Sequence, residues 1–316
     1  MPSPNGIFHF LDKRKEFVMK KAWKRISIVL LLFVFLVFLL YFLYLPGYLF
    51  HRESVSLPEE DRDGMVVMSA NVRYLAPTDI LKKSWFYRAT LMREDIALVS
   101  PDIVGFQEVT FVHYDYLVRI LPDYASTITY RDNSPFSEGC PIFYRTDRYE
   151  KVDEGTFWLS ETPDEMSKSW GSSHYRIATY VILKEKATER EFVVFNTHLD
   201  NKSEEARIEG IRLVVDKIRE FGDIPGILFG DLNATPTSQT LISTKRDFDD
   251  AHDSAIVSDE GATYHNYGKE CERERIDYIL LSKDKFDIEE FRIVDNGRSG
   301  AYSSDHASIY VKVQFR

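Results

Sequence analysis

The sequence is short of cysteine, short of net positive charge and free of internal repeats, and each shortage removes a class of protein. Only two cysteines occur, Cys140 and Cys271, far apart and outside any CxxC pair, so a zinc ribbon and a thioredoxin-like motif are excluded. A single disulfide between them and a pair of buried thiols both stay open at this level. Acidic residues outnumber basic ones by 50 to 40, for a formal charge of −10. That balance disfavours a protein that coats duplex DNA by displacing counterions with lysine and arginine, so a phosphate would have to be met locally, by a metal or a few arginines. An acidic nuclease that borrows its positive charge from a bound cation stays compatible with it. No repeat and no low-complexity tract interrupts residues 65–316.

What is present is ample core material, 44% hydrophobic and 14% aromatic residues in 316. This is the composition of a folded chain, long enough for one β-rich catalytic domain of about 250 residues with an N-terminal appendage.

The appendage is legible. From Ile26 to Leu45 the chain reads ISIVLLLFVFLVFLLYFLYL without a charge. About 20 such residues suffice for a helix to cross roughly 30 Å of hydrocarbon. A buried core helix would show a polar face, and a cleaved signal would offer small residues near Leu45–Tyr48; neither is found, so a retained transmembrane helix is predicted. Residues 1–25 are basic, with Lys13, Arg14, Lys15, Lys20, Lys21, Lys24 and Arg25, whereas Arg52 and Arg62 beyond the span stand among acids. The positive-inside rule then predicts a cytoplasmic N-terminus and an extracytoplasmic C-terminal domain, with Tyr41, Tyr44 and Tyr48 at the far interface. Residues 46–64 are read as linker, polar from His51 to Gly64, and residues 65–316 as the catalytic domain.

Short β-branched and aromatic runs within it read as strands at Met65–Ala70, Ile103–Gln107, Ile142–Tyr144, Thr179–Leu183, Phe192–Asn196, Ile227–Phe229, Ile276–Leu281 and Ser308–Val313. Helices are expected over Ser203–Phe221, where Ser203 caps and Ile211, Val214, Val215 and Ile218 share a face, and over Phe86–Val99. Strands scattered among helices suggest a four-layer α/β sandwich, two packed mixed sheets flanked by helices and preceded by the transmembrane helix.

Polar residues cluster at the ends of these strands: Asn71, Glu108, His198 with Asp200, Asp231 with Asn233, Asp277, and Asp305 with His306. Singly, each has a dull explanation as a turn former, a structural histidine or a helix-start charge. Together they supply each part that cleavage of a phosphodiester requires: oxygen ligands for a hard cation, a base for water, donors to phosphoryl oxygens and a proton for the leaving group.

The motifs SAN ending at Asn71, GFQE ending at Glu108, NTHLD (Asn196–Asp200), GDLNATP (Gly230–Pro236), IDYILLS (Ile276–Ser282) and SDH (Ser304–His306) occur in this order. In that order they resemble the endonuclease/exonuclease/phosphatase superfamily, which spans deoxyribonucleases, apurinic-site endonucleases, nocturnin-like deadenylases, sphingomyelinases and inositol-phosphate phosphatases. The likeness covers about residues 65–316 and suggests a bacterial, membrane-anchored member. It implies metal ligation by Glu108, with Asn71 as ligand or orienter and Asp305 near the metal, and Mg2+ as occupant, with Mn2+ or Ca2+ as substitutes. It implies that Asp231 and Asn233 position and deprotonate water, that His306 is held by Asp277, and that His198 donates to a non-bridging oxygen. Glu138 stands where relatives set a carboxylate against that second histidine, and Arg176 where they contact phosphate; a solvated loop glutamate and a strand-edge cation are the plainer readings. In the stretch Phe157–Gly171, resembling a loop of a bacterial branch near nocturnin, Trp158 reads as core and Trp170 as either core or substrate wall.

The implied activity is hydrolysis of phosphodiester or phosphomonoester bonds by in-line attack of water, with a nuclease first and a membrane-lipid phosphodiesterase of sphingomyelinase type or an inositol-phosphate phosphatase second. No exposed aromatic hairpin that would dip into a bilayer is evident in the sequence. A catalytically silent binding ectodomain ranks last, because no position of the site is substituted. The substrate is expected to be a nucleic acid or a phospholipid head group, and no protein partner is implied.

Overall fold

The computed structural model describes residues 4–50, 53–56, 64–269, 274–298 and 300–316. Cys271 lies outside these residues, and with it the question of a disulfide, as do residues 51–52 and 57–63 of the segment read as linker. Cys140 is a buried free thiol.

The apolar run forms α1 (Pro4–Tyr41), followed by the short α2 (Leu45–Phe50). The stretch Met19–Phe50 is long and apolar enough to cross a membrane. All of α2 beyond Leu45 falls inside the segment read as linker, yet it folds onto the domain: Tyr48 is buried and its hydroxyl donates to the Val112 carbonyl at 3.1 Å.

The domain then runs β1 (Met65–Asn71), α3 (Trp85–Val99), β2 (Ile103–Gln107), α4 (Phe111–Ile120), β3 (Tyr124–Thr127), β4 (Ile142–Arg145), β5 (Tyr149–Trp158), β6 (Ile177–Glu185) and β7 (Glu191–His198). It continues through α5 (Glu204–Glu220), β8 (Gly226–Asp231), α6 (Gln239–Thr244), β9 (Phe248–Asp250), α7 (Ala251–Ser254), β10 (Val257–Ser258), β11 (Asp277–Ser282), β12 (Phe286–Ile293), a ribbon of β13 (Gly297–Arg298) and β14 (Ala301–Tyr302), and β15 (Ile309–Phe315).

Two mixed sheets result, ordered β10-β12-β15-β1-β2-β4-β3 and β5-β6-β7-β8-β11-β9. They pack face to face through Val67, Ile103, Ile142, Phe229, Ile279 and Val311, while α3 and α4 cover the first sheet and α5 and α6 the second. This is the α/β sandwich expected from the sequence. The α5 helix shows why its segment was readable: Ser203 Oγ accepts from Ala206 N, acids open it, Lys217 and Arg219 close it, and Ile211, Val214, Val215 and Ile218 are buried on the sheet.

Elements that went unread have a physical reason. β5 exposes Glu150, Lys151, Asp153 and Glu154 in one run because it is the edge of its sheet, where charge blocks further pairing. α4 begins with a reciprocal cap in which Thr110 pairs with His113 instead of the usual Glu or Gln.

The sheets approach most closely at Gly105 of β2, where a Cβ would lie 1.8 Å from the Phe229 ring. Just beneath the rim, Gln107 Nε2 donates to Asn196 Oδ1 at 2.8 Å, and Asn196 Nδ2 donates to the Phe106 and Pro141 carbonyls at 2.9 and 2.8 Å. These buried bonds lock one sheet to the other, since unmaking any of them would strand a polar group in the core. We expect Gly105→Ala to lower stability by about 1–3 kcal/mol through overpacking, read as a reduced midpoint in denaturant titration. An unchanged midpoint would contradict this contact.

Candidate active site

β1 and β2 run parallel, as do β7 and β8, whereas β15 and β11 run antiparallel to β1 and β8. Strands that end and strands that begin therefore meet at one rim. Asn71, Glu108, His198 and Asp231 lie at the C-terminal ends of the parallel strands, and Asp277 opens β11 directly opposite Asp231 in register. Asp305 and His306 come just before β15.

Backbone geometry sharpens the convergence. Glu108 (φ +63°) and Asn233 (φ +48°) are left-handed, an uncommon conformation for residues with a side chain and one often found at functional sites. Gly230 has φ +148°, and a Cβ there would stand 1.9 Å from the Thr197 carbonyl oxygen, so only glycine lets β8 deliver Asp231.

One amide ties the two sheets' carboxylates together. Asn71 Nδ2 donates to Glu108 Oε1 and to Asp231 Oδ2, each at 3.0 Å, while Asn71 Oδ1 accepts from Arg73 N at 2.8 Å. The amide nitrogen thus faces the carboxylates, as an orienter's would, and the oxygen takes a backbone donor. Glu108 Oε2 accepts from Tyr74 N at 2.7 Å. Asp231 Oδ1 accepts from Asn233 N at 2.9 Å, and Asp231 Oδ2 lies 3.5 Å from His198 Nε2 and 3.8 Å from His306 Nε2. His306 Nδ1 meets Asp277 Oδ2 at 2.9 Å, the pairing expected from the motifs. Asn233 lines the cleft, and its Nδ2 donates to the Leu199 carbonyl at 3.1 Å. Asp305 faces Arg73 Nη1 at 3.4 Å, and Arg73 also holds Asp79.

The donor set suits a hard divalent cation. Glu108, His198 and Asp231 present ligand atoms within 4.8 Å of one another, and a second such group joins Asp231, Asp277 and His306. Asp305 lies in the same cleft but in neither group. Each group joins carboxylate oxygens to an imidazole nitrogen, a set that a divalent cation accepts.

Electrostatics reports the same crowding. Burial, and then the neighbouring Asp277 charge, push the Asp231 carboxyl up to about 7. For His306, burial works against the charged ring, but the Asp277 and Asp231 carboxylates outweigh it and hold the imidazole well above its ordinary value. His198 moves the opposite way, pressed well below it by burial and by Arg176 and Arg131. The two histidines are thus set apart, one cationic and one neutral, by what surrounds them.

At the other wall the structure corrects the sequence reading. Glu138, expected against His198, is gripped by Arg131 through two bonds of 2.8 and 2.9 Å; burial and the Glu108 charge raise it to about 7. A buried carboxylate takes the nearest guanidinium, and His198 instead faces Asp231. Arg176 is buried and lines the cleft with its Nε unpaired among the described residues, 3.8 Å from Asp200. Asp200 itself is a loop fastener, accepting from Ser172, Ser173, Lys202 and Ser203. Trp158, read as core, is only half-buried and donates its indole N–H to the Arg131 carbonyl at 2.8 Å, steadying the loop that carries that arginine. Trp170 is half-buried with φ +53°, and its carbonyl accepts from Ser203 Oγ.

Sequence reasoning missed Arg73, Arg131 and Arg88. Arg88 is fully buried and donates to the Val72, Arg73, Lys83 and Ser303 carbonyls, joining the loop after β1 to the loop before β15. An arginine within the apolar helix segment Trp85–Val99 was the available signal.

A family model described as the Endonuclease/Exonuclease/phosphatase family matches residues 68–306. The chain belongs to this family. Members are metal-dependent hydrolases of phosphoric esters, and so is this protein. It is similar to an endonuclease/exonuclease/phosphatase from Bacteroides vulgatus, with 31% identity, a TM-score of 0.76, and 81% of this chain and 100% of that one covered. It is also similar to a mannosyl-6-phosphatase from Bacteroides thetaiotaomicron, at 30% identity and TM-score 0.73, over 79% of this chain and 100% of that one. Among curated sequences, Protein angel of Drosophila melanogaster is 27% identical over 217 residues, 63% of this chain and 59% of that protein's length.

Because His306 is raised, its charged form adds stability to the metal-free protein. That contribution is complete below about pH 6.5, where an unfolded histidine titrates, and fades as pH rises through the folded value. In EDTA-treated protein, histidine NMR should show His306 titrating above the ordinary range, and Asp277→Asn should bring it down. A His306 that titrates normally in both would refute the pairing.

Proposed function

We propose that the protein is a Mg2+-dependent phosphoesterase that hydrolyses its substrate by direct in-line attack of water, one phosphate group at a time. The observation that carries this reading is the Asn71 amide bonding both Glu108 and Asp231, with His198 and His306 Nε2 at 3.5 and 3.8 Å from the same Asp231 oxygen.

In this reading Glu108, with Asp305 across the cleft, would hold the cation. A bound Mg2+ supplies positive charge against phosphoryl oxygens and Lewis acidity toward the phosphorus centre. Asp231 takes the proton of the attacking water, the task its elevated carboxyl suits. Asn233, adjacent and held to Leu199, positions the water and phosphate. His306, kept cationic by Asp277, stabilises the charge that develops and returns a proton to the leaving oxygen. His198, neutral, donates to a non-bridging oxygen, and the Arg176 guanidinium lends its charge to the same group. Glu138 keeps Arg131 in place at the rim. No covalent enzyme intermediate is involved.

The cleft, about 640 Å³, sets Arg73, Arg131 and Arg176 against Glu108, Glu138, Asp231, Glu274 and Asp305. Such a mixture supports one phosphate with a cation more than a polyanion held along its length. A nuclease, the reading that the family motifs put first, therefore fits through cleavage of a single-stranded end, whereas a small or lipid-linked phosphoric ester fits without further contacts. The mannosyl-6-phosphatase similarity favours the latter. The basic residues that precede the apolar run from Ile26 further support a single-pass arrangement with the domain outside the cytoplasm.

The test is turnover of a panel by the full chain in detergent with Mg2+ or with EDTA: single- and double-stranded DNA, RNA, sphingomyelin, phosphorylated inositols and sugar phosphates. Hydrolysis that EDTA abolishes is expected, and Glu108→Ala should lower kcat by roughly 10³-fold or more with an unchanged melting curve. Near-normal turnover by Glu108→Ala would overturn the assignment.

A further inference from the structure

α1 does not simply tether the domain; its outer end is built into it. Ser84 Oγ donates to the Tyr41 carbonyl at 2.9 Å, and Phe86 receives the rings of Tyr41, Phe42 and Tyr48 at centroid distances of 5.7, 5.2 and 5.2 Å. Beside this joint lies an apolar cavity of about 690 Å³, walled on one side by Val34, Val37 and Phe38 of α1 and on the other by Leu75, Val112 and Phe136 of the domain. Tyr74 and Glu138 line this cavity and also the catalytic cleft, so the two spaces adjoin. Tyr74 is at the same time the residue whose backbone N–H holds Glu108.

Val34 precedes Tyr41 by two turns, so the cavity follows α1 about 10 Å down from the tyrosines that mark the interface. One wall therefore belongs to a membrane span, and its volume falls within the range of about 300–1,000 Å³ typical of ligand pockets. The domain side is fringed by Phe136, 61% exposed, and Phe111, 52% exposed, which lean together at 5.8 Å though far apart in sequence. They form the exposed aromatic surface that no contiguous stretch of sequence displays. A water-soluble ester would leave this wall without a use. A hydrocarbon chain would fill it while its phosphate reached Arg131 and Arg176.

We propose that the substrate is a membrane lipid bearing a phosphoric ester, its hydrocarbon seated between α1 and the domain and its phosphate in the cleft. This rests on the phosphoesterase reading above and names the substrate class of that same site. The step is a hydrolysis: water oxygen bonds to phosphorus, the ester P–O bond breaks, and the departing oxygen takes a proton.

Two measurements on the full chain test it. First, a phosphatidic acid carrying a diazirine in its acyl chain is photolysed with the protein in phosphatidylcholine vesicles, and labelled peptides are mapped. Labelling within residues 34–42 and 75–77 is expected; absence of labelling, or labelling spread evenly along α1, overturns the proposal. Second, a long-chain lipid panel (phosphatidic acid, phosphoinositides, sphingomyelin and a polyprenyl phosphate) is compared with soluble aryl phosphate mono- and diesters for wild type, Val34→Trp and Val37→Trp. The bulky variants should reduce turnover of the preferred lipid by tenfold or more and leave soluble-ester hydrolysis unchanged, which also certifies their fold. EDTA-sensitive cleavage of soluble esters with no lipid turned over, or with lipid rates indifferent to both variants, defeats the lipid proposal and keeps the phosphoesterase. Cleavage of no ester under either condition defeats the phosphoesterase reading itself.

Discussion

Carboxylates removed from water are the constraint around which this molecule is organised. Asp231, Asp277 and Asp305 are almost fully buried, with Glu108 beside them at the same rim. Left alone, such a cluster would repel itself and resist folding. It is accommodated by donors aimed at it: the Asn71 amide, the Tyr74 and Asn233 backbone N–H groups, Arg73, and an imidazole kept charged. What the protein groups leave uncompensated is the site's affinity for a cation. Metal dependence, in this view, is the electrostatic debt of the fold made useful.

Those donors work only if the loops that carry them cannot shift, and Arg88 answers that need. Wholly buried, its guanidinium binds carbonyls on both sides of the site, so the segment bearing Asn71 and Arg73 and the segment bearing Asp305 and His306 share one clamp. A buried cation satisfied by neutral carbonyls is costly to displace, which gives the clamp rigidity. The Gln107–Asn196 bonds serve the same purpose across the sheets.

Much of this was legible in the sequence. Central strands are buried on both faces and so read as continuous apolar runs, and the residues that follow them stand out as polar. That is why Glu108, Asp231, Asp277 and His306 could be named and grouped. What escaped depends on partners far along the chain. Glu138 looked free to meet His198 because nothing local reveals Arg131, brought alongside by the turn after β3. Asn71 could have faced the carboxylates with either end of its amide until the Arg73 backbone N–H fixed its orientation. Tyr48 looked like a linker residue, and its burial against Phe86 and Tyr116 exists only once α2 docks. Trp158 carried an apolar signature that its single polar bond to Arg131 overrides.

The sheet order also separates two kinds of residue. Those nearest the reacting atoms hang from β1, β2, β7, β8, β11 and β15, strands bonded on both sides in the sheet interiors. Arg131, Glu138, His174 and Arg176 hang from loops between strands toward the margins. A lineage can therefore recharge those marginal loops while the inner strands keep their pairing. One reaction then becomes portable among unrelated alcohols and acids, and diversification of such a scaffold proceeds from its perimeter inward.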